Sequence, residues 1–127
     1  VIGSDRTFIS GRWILMQAIP KWLLIHRAIR YKTSKDRWGQ ETPEEGQELA
    51  YIRIEPSSKV VRDKNRAEVQ LAATLFYDCR NSRPRGVEWE EDDIVMVNGE
   101  RYRVQVIEPL YDGRRLHHYE LGMVRHA

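Results

Sequence analysis

The feature that most limits the fold is a run of two-residue alternation folded back on itself at an Asn-Gly pair. Ile94-Val95-Met96-Val97 precede Asn98-Gly99, and Tyr102, Val104 and Val106 follow it with Arg101, Arg103 and Gln105 interleaved. A period of two places successive side chains on opposite faces of a strand. Asn-Gly tolerates the two positive φ angles of a type I′ turn, whose twist matches that of the flanking strands. Residues 94–107 therefore read as a β-hairpin with Tyr102, Val104 and Val106 inward and the charged positions in water.

The same period recurs along the chain. From Trp22, the residues Leu23, Ile25, Ile29 and Tyr31 lie opposite His26, Arg30 and Lys32, which predicts a first strand with the odd-numbered face inside. Tyr51, Arg53 and Glu55 oppose Ala50, Ile52 and Ile54 until Pro56, which has no N–H to donate, ends that strand. Over residues 67–77 a helical spacing of Val69, Ala72, Ala73 and Phe76 competes with a two-residue spacing of Ala67, Val69, Leu71, Ala73, Leu75 and Tyr77. Polar Glu68, Gln70, Thr74 and Asp78 fill the gaps of the second pattern, so the strand reading wins. After Pro109, a turn at Asp112-Gly113 leads into residues 116–124, where His117, Tyr119, Leu121 and Met123 share one face and His118, Glu120 and Gly122 the other.

Residues 33–48, with Gly39, Pro43 and Gly46 among charged neighbours, and residues 81–86, with Pro84, read as surface loops. The sum is five or six short strands without a long helical period. A chain of 127 residues fits one domain. The expectation is a mainly β protein, a small single-domain β-barrel with long inter-strand loops, because closure removes edges that would otherwise pair indiscriminately. Residues 1–17 scatter Gly3, Ser4, Ser10 and Gly11 among apolar residues with no sustained period. They read as an N-terminal extension ahead of a barrel domain at 18–127: a disordered arm, a segment docking on a neighbouring subunit, or translation from a start upstream of Met16.

Several function classes lose support. A formal net charge of +2 gives too weak a field to announce a nucleic-acid binder. The single cysteine, Cys79, excludes an intramolecular disulfide and any multi-thiolate metal site, suits a reducing cytoplasm, and reads as a small half-buried residue. The apolar stretch 13–25 is interrupted by Gln17, Pro20 and Lys21, falls short of the roughly 20 residues of a membrane span, and lacks a signal-cleavage site. No membrane partner is expected.

Among candidate chemistries, His117-His118-Tyr119-Glu120 comes nearest to a metal motif. Adjacent strand residues point to opposite faces, so only His118 and Glu120 would share a side, and no metal is expected there. The acidic run Glu88, Glu90, Glu91, Asp92 and Asp93 lacks the alternating ligands and central glycine of a calcium loop, and reads as a solvated turn. Ser57, Ser58 and Ser82 have no base at recognisable spacing, and no phosphate-cradling glycine loop is present, so neither enzyme nor cofactor is expected. Basic residues gather in two loops: Lys59, Arg62, Lys64 and Arg66, then Arg80, Arg83 and Arg85. On one molecule these are ordinary solvated loops. In a ring of roughly six- or twelve-fold symmetry they would line a lumen and meet DNA phosphates without reading sequence.

Five segments together resemble a known family. They are residues 53–63 (Arg53-Ile54-Glu55-Pro56-Ser57-Ser58-Lys59-Val60-Val61-Arg62-Asp63), Thr74-Leu75-Phe76-Tyr77-Asp78, Asn81-Ser82-Arg83-Pro84-Arg85-Gly86-Val87, Pro109-Leu110-Tyr111-Asp112-Gly113, and Leu116-His117-His118-Tyr119-Glu120-Leu121-Gly122. The chain is similar through them to the minor capsid proteins encoded in the head-to-tail gene block of siphophages and prophages, over roughly residues 19–124. The resemblance implies an SH3-like, stopper-type barrel without catalytic function. Such a subunit would form a ring with copies of itself in the virion neck, under the portal and adaptor proteins, after assembly in the host cytoplasm. It would retain packaged double-stranded DNA and offer a docking surface to a tail-completion or tail-terminator protein.

In similar proteins an inter-strand loop reaches into the channel, and the matching position is residues 57–67, which carry Lys59, Arg62, Lys64 and Arg66; the longer segment 33–48 is the alternative. Leu110, Tyr111, Asp112, Gly113, His117, His118, Tyr119 and Glu120 would serve the fold and the subunit contacts. Two other readings compete. One is an adaptor ring in the same connector, which the strand-dominated pattern disfavours because adaptors are helix-rich. The other is a free-standing barrel binding single-stranded nucleic acid, with Trp38, Trp89 and Tyr77 as stacking residues, although their flanking charges are mixed.

Overall fold

The computed structural model describes residues 17–35, 41–43 and 46–126 together with the strand backbone at 6–9 and 12–15, and the side chains of residues 17–32 and 46–126. The strands are β1 (Arg6–Ile9), β2 (Arg12–Leu15), β3 (His26–Tyr31), β4 (Thr33–Lys35), β5 (Glu41–Pro43), β6 (Gln47–Pro56), β7 (Val60–Arg62), β8 (Glu68–Gln70), β9 (Ala73–Asp78), β10 (Ile94–Val97), β11 (Glu100–Asp112) and β12 (Arg115–Arg125), with a 3-10 turn at Lys21–Leu23. Six of them close an antiparallel barrel in the order β10-β11-β12-β9-β6-β3, β3 returning to β10. Three two-stranded ribbons stand apart from it: β1-β2, β4-β5 and β7-β8. The expected mainly β barrel is what the chain forms.

The turn that fixes the register is the one the sequence announces. Asn98 and Gly99 have φ of 49° and 79°, and the β10-β11 ladder starts at the pair Val97↔Glu100. Inside the barrel, Leu49, Ile52, Leu75, Tyr77, Val95, Val104, Leu121 and Met123 form one buried cluster. Its members come from β6, β9, β10, β11 and β12, so the core exists only once the barrel is closed.

Other expectations are corrected. Trp22 and Leu23 belong to the 3-10 turn, and β3 begins at His26 with its even-numbered face inside: Leu24, Ala28 and Arg30 are buried whereas Ile25 is exposed. The inversion has a cause, because the interior supplies Arg30 with acceptors and so admits a guanidinium where the count of apolar residues favoured the other face. Segment 33–48 is not simply a loop, since β4 and β5 pair within it from Thr33↔Pro43 to Lys35↔Glu41; Gly39 lies outside the described residues. The proposed loop 57–67 contains β7 and leads into β8, the two paired as Val60↔Gln70 to Arg62↔Glu68. The run 67–77 has the expected face, with Leu71, Ala73, Leu75 and Tyr77 buried, but it is split between β8 on the ribbon and β9 in the barrel.

Pro109 does not end a strand. Beyond Arg103 the residues of β11 have a ladder partner only in β12, so a residue without an N–H fits at Pro109, opposite Tyr119. The following turn falls one residue later than predicted, Asp112↔Arg115 being the last pair and Gly113 taking a φ of 60°. The N-terminal extension contains the β1-β2 pair, while residues 1–5, 10, 11 and 16 lie outside the described residues.

The β7-β8 ribbon lies on the outer wall of the barrel, and Gly122 on β12 is what lets it approach. A Cβ at Gly122 would stand 2.8 Å from Leu71 Cδ1 and 3.1 Å from Cδ2, and Leu71 is itself buried. Gly122→Ala is therefore expected to cost about 1–3 kcal/mol by overpacking. Thermal unfolding checks this, and an unchanged Tm would contradict the close seating of the ribbon.

Candidate functional site

The four basic residues matched to a channel loop sit on the β7-β8 ribbon, and three of them already face carboxylates. Lys59 Nζ is 3.9 Å from Glu108, Arg62 Nη2 is 3.6 Å from Glu68, and Lys64 Nζ is 3.6 Å from Glu91. All are exposed pairs, which stabilise little and are screened by salt. Arg62 also donates to the Arg66 carbonyl at 3.0 Å. Asp63 organises the tip, its Oδ1 accepting from the N–H groups of Asn65 and Ala67 at 2.8 and 2.9 Å, as an Asx-type turn does. A phosphate meeting this ribbon would have to compete with those carboxylates.

The second basic loop is held more tightly. Ala50 and Arg83 exchange two backbone hydrogen bonds of 2.9 Å, and Arg83 Nη1 donates to the carbonyls of Arg80 and Ser82. Beneath it, Asp78 and Ser82 are fully buried. Asp78 Oδ2 accepts from the N–H groups of Arg80 and Asn81, Asp78 Oδ1 accepts from Ile19 N–H, and Ser82 Oγ accepts from Asp78 N–H while donating to the Tyr51 carbonyl. Ser82 thus serves as a structural crosslink among β6, β9 and the loop. The Asp-x-x-x-Ser spacing at 78–82 was the available signal, since both residue types favour turns that bind their own backbone.

Asp93 does not belong to a solvated acidic turn. It is buried with Arg30, whose Nε and Nη2 both lie 2.9 Å from Asp93 Oδ2. Arg30 further donates to Gln47 Oε1 at 3.0 Å and to the Glu88 carbonyl, and its guanidinium lies 5.1 Å from the Trp89 ring. Burial pushes the Asp93 carboxyl above its usual range, and the bonds from Glu90 N–H and Arg30 offset only part of that. Glu90, Glu91 and Asp92 are exposed, Glu90 pairing with Lys32 at 3.1 Å and Asp92 with Arg103 at 3.2 Å.

Two of the three proposed stacking residues are unusable for nucleic acid. Tyr77 and Trp89 are buried edge to face with centroids 5.8 Å apart, and the Tyr77 hydroxyl donates to the Pro84 carbonyl at 2.5 Å. Burial raises the Tyr77 hydroxyl above its ordinary value. Trp38 lies outside the described residues. Cys79 is half-buried, and burial together with the nearby Asp78 pushes its thiol up.

The β11-β12 hairpin carries Leu110, Tyr111, Asp112 and Gly113 on one limb and at its tip, and His117, His118, Tyr119 and Glu120 on the other. Asp112 is buried and Tyr111 stands out into solvent. The ladder steps from Leu110↔His118 to Tyr111↔Leu116, so His117 is the extra residue of a β-bulge. The bulge overturns the expectation that the two histidines point apart: His117 Nδ1 and His118 Nδ1 are 2.8 Å from each other. His117 Nε2 donates to the Gln17 carbonyl at 2.6 Å, and His118 Nε2 lies 2.9 Å from Glu120 Oε2. Phe76 stacks beside the His118 ring, centroids 6.4 Å apart. Among the described residues no group of three or more His, Cys, Asp or Glu side chains is placed to hold a metal ion.

Five large apolar side chains are exposed among the described residues. Trp22 is 75% exposed, Ile25 65%, Tyr111 62%, Val60 56% and Tyr51 42%. The 3-10 turn that carries Trp22 lies against β6, with Lys21 Nζ 4.9 Å from the Tyr51 ring and Arg53 Nη1 donating to the Leu23 carbonyl at 3.0 Å. Val60 is carried by the β7-β8 ribbon and Tyr111 by the β11-β12 hairpin. Among the described residues no helix is long and apolar enough to cross a membrane.

Neither a curated protein nor a solved structure matches the chain. A family model described as minor capsid protein matches residues 20–123, from the 3-10 turn through the whole barrel and all but the end of β12. The chain therefore belongs to the minor capsid protein family and is a structural component of the bacteriophage virion.

Proposed function

We propose that the protein is the head-closure, or stopper, subunit of the phage neck, forming a ring with copies of itself between the portal and adaptor proteins and a tail-completion or tail-terminator protein. The observation that carries this reading is the set of large apolar side chains left uncovered on an otherwise closed barrel. Ring closure needs a head-to-tail contact between two unlike surfaces of one chain. The Trp22, Ile25 and Tyr51 set and the hairpin-borne Val60 and Tyr111 offer such a pair, and aromatic residues are favoured where subunits meet. The all-strand barrel suits a stopper better than a helix-rich adaptor.

In such a ring the β7-β8 ribbon is the candidate channel element, with Lys59, Arg62, Lys64 and Arg66 contacting packaged double-stranded DNA. Because Glu108, Glu68 and Glu91 already pair with three of these cations, the contact would be sequence-independent, weak per subunit and eroded by salt. Burial of Tyr77 and Trp89 speaks against a stacking platform for single strands.

The test is a Trp22→Ser/Ile25→Ser double variant added to DNA-filled, portal-bearing heads lacking the protein. The exposed substitutions are expected to change monomer stability by no more than about 0.5 kcal/mol each. Wild-type protein is expected to add a ring to the portal vertex in negative stain, and the folded variant is expected to be lost from it. Incorporation of the variant at the wild-type level, or absence of the wild type from that vertex, would contradict the proposal.

A further inference from the structure

The bulge at His117 brings two imidazoles together so that their facing nitrogens leave one position between them, which a proton or a metal ion can fill. Each Nε2 is already engaged: His117 Nε2 faces a carbonyl oxygen, Gln17 O, and His118 Nε2 faces a carboxylate oxygen of Glu120. Both acceptors hold the ring proton on Nε2, since neither a carbonyl nor a carboxylate has one to give. In the neutral rings this leaves a lone pair on each Nδ1, and these two atoms confront each other at 2.8 Å. Two lone pairs at that distance repel unless a proton or a metal ion lies between them.

We propose that His117 Nδ1 and His118 Nδ1 chelate a divalent transition-metal ion of the zinc class. Imidazole nitrogen selects such ions over calcium or magnesium, which take oxygen ligands. The surroundings match what metal-bound histidines require: one partner's far nitrogen on a carboxylate and the other's on a backbone carbonyl, an arrangement that fixes the tautomer and raises ligand basicity. Phe76 beside the His118 ring fixes its plane from the apolar side. Bonds of about 2.0–2.1 Å in a tetrahedral site place two nitrogens roughly 3.3 Å apart, so the rings must part by about half an ångström on binding. The bulge is separated by three residues from Gly113, at the turn that ends the β11-β12 hairpin. Water completes the coordination. This site does not depend on the position of the protein in the neck.

The experiment is calorimetry of the full chain with Zn2+, with Co2+ absorption as a second readout. One ion per chain is expected for the wild type. His117→Ala and His118→Ala are each expected to fall to the background set by His26 and His126. Glu120→Gln is expected to bind about ten- to a hundred-fold more weakly. Wild-type titrations indistinguishable from those of His117→Ala, or full affinity in Glu120→Gln, would overturn the proposal. Should the alanine variants fail to fold, nitrogen NMR of the wild type decides instead: Zn2+ is expected to shift the Nδ1 resonances of His117 and His118, and unmoved resonances, as a proton shared between the rings would give, refute the chelate.

Discussion

Asp93→Ala is expected to lower the unfolding free energy by about 3–5 kcal/mol, the loss that follows when one partner of a buried ion pair is removed. The carboxylate is 2% exposed and accepts from two nitrogens of Arg30, itself 5% exposed, and from the Glu90 N–H at 3.0 Å. Without it the guanidinium keeps Gln47, the Glu88 carbonyl and the Trp89 ring, none of which carries a full negative charge. Position 30 lies opposite Val95 in the ladder between β3 and β10, where the barrel closes, so an unpaired cation there stresses the seam. Arg30→Met/Asp93→Leu is expected to recover part of the loss, because no charge is then left buried without a partner. Urea unfolding of the two variants checks both statements, and a loss under about 1 kcal/mol for Asp93→Ala would contradict them.

Leu121→Ala is expected to cost about 2–5 kcal/mol. Leu121 is fully buried on β12, opposite Leu75 on β9 and Ile107 on β11, so its removal opens space beside both neighbouring strands of the wall. Val60→Ala, at an exposed site, is expected to change stability by about 0.5 kcal/mol or less. Equal effects of the two substitutions in the same denaturant series would mean that the barrel interior is not where the cluster puts it.

How much of this was legible in the sequence depended on whether local chemistry or distant partners decided the outcome. The Asn98-Gly99 hairpin and the inward face of Ala73, Leu75 and Tyr77 were readable because turn propensity and a two-residue period act within a few residues. The face of β3 was not, because what turns Arg30 inward is Asp93, 63 residues away. Bulges were equally invisible: Tyr51, with φ of 55° where the β3-β6 register shifts between His26↔Ile52 and Ala28↔Leu49, and His117 each shift the side-chain phase of a strand without leaving a residue pattern that demands it. The ribbons β4-β5 and β7-β8 hid among charged residues, since a two-stranded ribbon does not require the alternation that a closed sheet imposes.

The candidate site was partly legible by resemblance and hardly at all by spacing. Family likeness pointed to the β11-β12 segments, yet the carboxylates facing Lys59, Arg62 and Lys64 come from β11, β8 and the loop before β10, and they meet only in three dimensions. The two-residue period places Trp22 and Ile25 in a strand, and only the fold shows them uncovered.

Density for the intact neck, at a resolution that traces side chains, tests the central claim most directly. The expected result is a ring of this barrel next to the portal complex, with Trp22 and Ile25 buried against the adjoining copy. A chain placed in the capsid shell, or a ring in which those two side chains face solvent, would contradict it.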